Sequence, residues 1–415
     1  LLYCRPMSTA AEFVFDPYAP GFDADPAPTY HYLLERAPVY YWERGRAYLV
    51  SKYRDILAIL RDPRFSRSMR DSRHYQALPD VPEYRDYKLA TEAGLFMVST
   101  ADHLRLRKLI NPAFTPRGIE WLREETRLRT REALLRLPDA EVVNLAPLAE
   151  LIPLQVICRL LAIPAEMEEG FLTLARNMIT SITPGLDPAT WDGLIRSLAP
   201  GMTDVRRLIA ARREAPGSDL LSTLIHYQED GARLSEDELL GLVMAIIVAG
   251  SDTTVHTLRY TLLNLLRNPE QLALVRAEPQ LARAAMEETL RFDSFGKLSI
   301  SCYPLEDVEI RGVKLEKGVT VLPMMPAGGR DPEVFVRADE FDIRRPDLAE
   351  AHNFGIGPHT CLGVHLARLE AEVVLPVVLE HFEEMSLAGA PQFGPHPLFR
   401  LMTDLPVRVR RAAAS

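Results

Sequence analysis

Cysteine is scarce in this chain. Its 415 residues hold four, Cys4, Cys158, Cys302 and Cys361, widely scattered and without a C-x-x-C pair. That spacing argues against a disulfide framework and against a structural zinc site. Free thiols fit a reducing compartment, so a cytoplasmic protein is expected. Long hydrophobic runs are missing too. The longest, LLGLVMAIIVAG at 239–250, falls short of the ~18–20 residues that span a bilayer. The opening LLYCRPMSTAAEF has no charged start ahead of an apolar stretch. Neither signal peptide nor membrane anchor is expected, and residues 1–12 are read as a tail outside the fold. A basic excess is also absent. The net charge of −9 argues against nucleic acid as the main partner, because such proteins usually carry surplus Lys and Arg. No repeat of 20–50 residues and no low-complexity linker divides the chain.

What is present is apolar side chain in quantity: 47% of residues are hydrophobic against 25% charged, enough for a large buried core. Length alone suggests two or three domains; the patterns argue for one. PVYYWERGRAYLVSKYRDILAIL (38–60) reads as two β-rich runs around ERGR, then an amphipathic helix. Most of 102–292 has helical period, punctuated by many of the 32 prolines. Ser235 and Glu238 form an S-x-x-E capping box at the start of a long apolar helix reaching about Leu266. Beyond residue 292 the texture changes. LSISCYPLEDVEIRGVKLEKGVTVLP (298–323) alternates, is rich in β-branched residues and has Gly at turn positions, which predicts short strands. The expected fold is mainly α with a small β-rich part (α+β) drawing on both ends of the chain. Residues 13–415 form one domain around a long central helix.

FGIGPHTCLG (354–363) packs three glycines, a proline and one of the rare cysteines into a loop, directly ahead of an apolar helical run. Cys361 there has three readings: a small buried hydrophobe, a nucleophile with a nearby base, or a thiolate metal ligand. The pattern Phe354, Gly357, Cys361, Gly363 (F-x-x-G-x-x-x-C-x-G) resembles the haem-binding loop of the cytochrome P450 family. In that family the thiolate is the axial iron ligand, and it pushes electron density onto the metal to favour O–O cleavage. Glycines allow close backbone approach to the sulfur, and the following helix end steadies its charge.

Other motifs stand in the family's order. AGSDTT (249–254) lies in the long apolar helix, where Gly, Ser, Asp and Thr are mediocre helix formers. A Thr hydroxyl bonded back to the carbonyl four residues earlier would account for it. The resemblance implies instead that the helix opens over the cofactor, with Ala249 and Gly250 leaving room. Thr253 would then hydrogen-bond the oxygen, and Asp252 would relay protons from solvent. Glu288 and Arg291 match the family's E-x-x-R pair. Glu120/Arg123 and Glu124/Arg127 match that pattern as well, so position selects the first. His103 and Arg107, at i,i+4 on one helix face, would hold a haem propionate, with His359 as a further contact; Gly355 and Gly363 frame the sulfur. One departure is plain. The family usually has an arginine in the strand after E-x-x-R, and alignment on LEDVEI puts Cys302 there. No arginine lies between Arg291 and Arg311, which leaves Lys297 as the one basic alternative and Cys302 as a pocket residue by position.

The resemblance spans almost the whole chain. FDPYAPGF, AIIVAGSDTT, NLLRNPE and GPHPLFR are similar to soluble bacterial members that tailor secondary metabolites, myxobacterial ones in particular. It implies a haem b (iron protoporphyrin IX) monooxygenase that inserts one atom of O2 into a C–H or C=C bond. By alignment Phe96, Met97, Val248, Ala249, Leu298, Ile300 and Phe399 line an apolar cavity, suited to a polyketide, terpenoid or fatty-acid-like substrate; ordinary core packing is the alternative for each. Electrons would come from a separate ferredoxin or flavodoxin with its NAD(P)H reductase, docking near Arg105, Lys108 and Arg368. A monomer is expected. The rival readings are a peroxide-driven peroxygenase and a non-catalytic haem protein.

Overall fold

The computed structural model describes residues 13–92, 95, 98, 100–181, 187–226, 234–396 and 398–412. The expected tail, residues 1–12, and the pocket candidates Phe96 and Met97 lie outside the described residues.

Val39–Trp42 (β1) and Ala47–Val50 (β2) form the antiparallel hairpin that the two β-rich runs predict, with Val39 opposite Val50. The turn requires Gly45, since a Cβ there would stand 2.1 Å from the Trp42 ring. Phe65–Ser66 (β3) pairs antiparallel with Tyr303–Pro304 (β4), and β2 runs parallel to Thr320–Pro323 (β5). Strands from the start of the chain are thus completed by strands from beyond residue 300. A further sheet joins Val142–Asn144 and Phe382–Leu387 on either side of Pro406–Arg411. The β-rich part draws on both ends, as the sequence predicts.

The helices that position the site are Thr100–Ile110 (α1), Leu148–Leu160 (α2), Glu236–Ser251 (α3), Thr253–Arg267 (α4), Ala282–Phe292 (α5) and Val364–His381 (α6). The capping box at Ser235 is formed on both sides. Every residue from Leu239 to Ile247 is buried, the mark of a helix packed all round. The long helix is not continuous: it breaks at Asp252 (φ −99°, ψ −35°) between α3 and α4. As one rod, Glu236–Arg267 is long and apolar enough to cross a membrane, but most of that span is buried in the protein, as a core helix is. Two prolines, Pro153 and Pro376, sit inside α2 and α6 instead of punctuating their ends; each removes one helical hydrogen bond.

The main core gathers Ile110, Ile152, Val243, Ile247, Leu258, Leu262, Val374 and Leu375 from these helices, each side chain contributing about 1.5–3 kcal/mol by leaving water. A separate cluster of Phe15, Trp42, Leu49 and Met324 lies under the hairpin. Behind α5 is a buried charge cluster. Arg291 donates to both Glu288 oxygens at 2.7 and 2.8 Å and to the carbonyls of Gly329, Ala338 and Glu340. Arg345, which the E-x-x-R pattern does not contain, donates to the same carboxylate at 3.2 Å. Glu288 and Arg291 are wholly buried, whereas Glu120 and Glu124 of the look-alike motifs are exposed. The cluster pins residues 329–345 against α5 and so fixes the approach to the cysteine loop.

Candidate active site

The cysteine loop is closed by its own backbone. Cys361 N–H donates to Phe354 O at 2.8 Å, Gly355 N–H to His352 O at 2.8 Å, and Thr360 Oγ1 to Gly357 O at 2.8 Å. Gly355 (φ +77°) and Gly357 (φ +73°) take left-handed backbone that side chains disfavour. Gly363 caps α6, so the positive helix end stands two residues from Cys361. Gly363 N–H also donates to the sulfur. Cys361 is exposed, yet desolvation by the surrounding protein raises its thiol pKa, against the pull of Gly363 N–H, Arg107 and Arg368. A residue both exposed and desolvated lines a recess.

The middle of the central helix opens in the same manner. After the buried run ending at Ile247, Val248 is half-buried and Ala249 exposed. Gly250 departs from expectation: a Cβ there would lie 2.6 Å from Ile157 Cδ1, so its missing side chain makes room for α2, not for a ligand. Thr253 Oγ1 donates to Ala249 O at 2.7 Å, the back-bond that is the simpler reading of this threonine. Burial raises the Asp252 carboxyl pKa, while Arg176 and Arg259 oppose. Both arginines pair with Glu150, and Arg176 is exposed. Asp252 thus sits within electrostatic range of an ion-paired group, Glu150 with Arg176 and Arg259, whose Arg176 end is exposed.

His103, Arg107 and His359 come together beside the loop. The His103 and His359 rings stack at 4.0 Å. His103 is buried between two carbonyls, with Nδ1 3.0 Å from Leu95 O and Nε2 3.1 Å from Pro358 O, and a neutral ring can donate to only one of them. His359 is pushed down to about 4, by burial first and then by the charges of His103, Arg67 and Arg107. Arg107 is half-buried and within range of the Cys361 charge. Lys297 does not serve here, because its ammonium is buried against Asp23 at 2.8 Å. Cys302 is a core residue: fully buried with Val50, Ile56 and Val321, its thiol is pushed up to about 11 by burial.

Of the apolar candidates, Ile300 is 66% exposed. Leu298 packs on the hairpin cluster and Val248 on the main core. Phe399 stacks on His396 at 4.9 Å and lies 5.2 Å from His256. One residue of interest escaped the motifs. Glu370 on α6 is wholly buried, its Oε1 has no partner, and it is pushed up to about 8 by desolvation, with a bond from Thr254 opposing. A charge inside the stripe Leu366, Leu369, Val373, Val374, Val377 was the available signal.

A family model for cytochrome P450 matches residues 189–391. Epothilone C/D epoxidase of Sorangium cellulosum is 39% identical over 98% of this chain and 97% of its own. The chain belongs to the cytochrome P450 family. The P450 monooxygenase PikC of Streptomyces venezuelae is 34% identical, covering 97% and 96% of the two chains. Among solved structures, epothilone B-bound cytochrome P450epoK superposes with a TM-score of 0.89 at 37% identity, covering 96% of this chain and all of that one. The protein is thus a haem-dependent monooxygenase, and P450 enzymes use a substrate, O2 and a source of electrons. Its residues fit the cofactor. The recess offers a thiol that already receives an N–H. At Gly363 a Cβ would meet no protein atom within 4 Å, so a flat group can lie against the loop.

Proposed function

We propose that this P450 oxidises a medium-to-large apolar molecule of the polyketide or macrolide class, placing one oxygen atom in a C–H or C=C bond. The observation that carries the reading is Ala249, exposed just where the buried run Leu239–Ile247 gives way toward the break at Asp252. The names of the relatives support the substrate class: an epothilone epoxidase, PikC and a 6-deoxyerythronolide B hydroxylase 33% identical over 94% of this chain. The open side chains of Ile300 and Ala249 are apolar, as such a substrate requires.

Cys361 is the residue proposed to hold the iron. When bound, haem supplies the redox chemistry that cleaves O2, and the protein does the rest. One oxygen atom enters the substrate; the other leaves as water, with two protons and two electrons taken up. Thr253 Oγ1 holds a proton within the recess, and Asp252 passes protons to it from solvent, with the Arg176 and Arg259 charges favouring its carboxylate form. Glu370, protonated near neutral pH by its burial, holds a second proton one residue along, at Thr254. Arg107 and His359 hold the carboxylate edge of the cofactor; Phe354, Gly355 and Gly363 form the loop face, and Val248, Leu298 and Phe399 the walls beyond.

The electrons are proposed to arrive from a separate ferredoxin or flavodoxin with an NAD(P)H reductase. Arg105 is paired with Glu238 and Arg368 with Glu287, so docking on these cations must compete with their internal partners. Residues 13–415 are read as one domain, on the support of the large shared core, acting as a monomer in the cytoplasm, where Cys158 and Cys302 stay as free thiols. A peroxide-driven enzyme is the weaker reading, because the acid–Thr pair Asp252–Thr253 is present. Titration with a library of macrolides, terpenoids and fatty acids tests the substrate class. Macrolides should give the spectral shift of displaced haem water and an oxygenated product. Fatty acids alone doing so would refute it.

A further inference from the structure

Iron protoporphyrin IX carries two carboxylate side chains, and each needs donors where it meets protein. Of the groups that the family pattern suggests for them, His103 is buried between two carbonyls and Lys297 is paired with Asp23. Arg107 and His359 remain. Position 302, where the resemblance puts an arginine, is a thiol in an apolar cluster.

Arg67 stands across the strand ladder from that thiol. β3 and β4 pair with Ser66 opposite Tyr303 and Phe65 opposite Pro304, and Leu305 N–H donates to Arg64 O at 2.8 Å on the same register. Arg67 follows directly at the end of that ladder, and continuing its register by one residue directs Arg67 toward position 302. Cys302 turns its N–H and its carbonyl to Val321, at 2.8 and 2.9 Å, and so away from β3. Arg67 is half-buried. Its Nη1 donates to Ile300 O at 3.1 Å, and no carboxylate among the described residues pairs with it. That carbonyl lies two residues before position 302, so the guanidinium reaches the strand on which the resemblance puts the arginine. A half-buried guanidinium with no carboxylate partner, beside the position where the resemblance puts an arginine, is suited to an anion.

We propose that Arg67 binds one of the two haem carboxylates, supplying from the neighbouring strand the guanidinium that position 302 lacks. The assignment rests on the recess at Cys361 being the haem site. The test compares wild type, Arg67→Gln and Arg67→Lys, each loaded with haem, by the rate at which haem passes to excess apomyoglobin. Arg67→Gln should release haem about tenfold faster, the loss of one charge-assisted hydrogen bond, while Arg67→Lys stays near wild type. Release from Arg67→Gln at the wild-type rate overturns the assignment. So does release from Arg67→Lys as fast as from Arg67→Gln, since packing rather than charge would then matter. The carbonyl spectrum of each reduced protein separates the two readings. A histidine-type spectrum in wild type removes the haem site and this assignment together, whereas a thiolate-type spectrum with unchanged release removes this assignment alone.

Discussion

At the scale of single residues, protons decide what the site can do. Thr253 keeps its hydroxyl on the Ala249 carbonyl, and the oxygen's lone pairs remain for a proton from Asp252. Thr253→Ala should therefore waste electrons: product formed per NAD(P)H falls at least about tenfold while hydrogen peroxide rises, as measured by peroxide assay beside product analysis. Tight coupling in that variant would contradict the role. Glu370 carries a different signature. Its folded pKa of about 8 lies above the ~4.3 of an unfolded glutamate, so the folded state holds an extra proton between those values. Its own contribution to stability is then full below about pH 4.3 and is lost as pH rises to about 8, a change of up to roughly 5 kcal/mol. Relative to wild type, Glu370→Gln should gain stability progressively over that window in denaturant titrations. Parallel pH profiles would refute the buried proton. The sequence singles out Cys361, Asp252 and Thr253 as candidates because motif and residue type coincide. Glu370 and Arg67 are not singled out, since burial and cross-strand register are properties of the folded chain.

At the scale of elements, two contacts hold the recess open. α3 approaches α2 closely enough that Gly250 has Ile157 where a side chain would stand. Gly250→Val should overpack the contact and cost about 1–3 kcal/mol, with Ile157→Ala restoring part of it; melting of the single and double variants reads this directly. The second contact is the Glu288–Arg291–Arg345 cluster. Arg345→Ala leaves a buried carboxylate short of a partner and should cost about 3–5 kcal/mol, with loss of haem on heating before the helices melt, seen by comparing Soret absorbance with far-UV circular dichroism. Coincident, wild-type-like transitions would show that the third member is dispensable. The E-x-x-R pair was readable only by its position, because the same spacing recurs on exposed helices. Arg345 was hidden in FDIRRP, where nothing in the local pattern distinguishes it from Arg344, which pairs with Glu278 at the surface. The break at Asp252 was half legible: the poor helix formers marked it, but the apolar period ran straight through.

At the scale of the whole molecule, the β-rich part needs both ends of the chain and the helical core needs the middle, so the recess forms only when the fold closes. In the alternating stretch after residue 292, Val308–Ile310 and Val313–Leu315 close on each other as a hairpin, while Tyr303–Pro304 and Thr320–Pro323 find their partners near the start of the chain. The apolar walls were least legible, because a leucine facing a substrate and a leucine facing the core look alike in one dimension; Leu298 and Val248 both pack on buried clusters. All of these roles depend on one bond that the sequence pattern and the recess both point to, between the Cys361 sulfur and iron. The carbonyl spectrum of the reduced protein measures it most directly. Wild type should give the red-shifted Soret band of thiolate ligation, and Cys361→His should move it to the position typical of histidine. A histidine-type band in wild type, or a thiolate-type band that survives Cys361→His, would contradict the account.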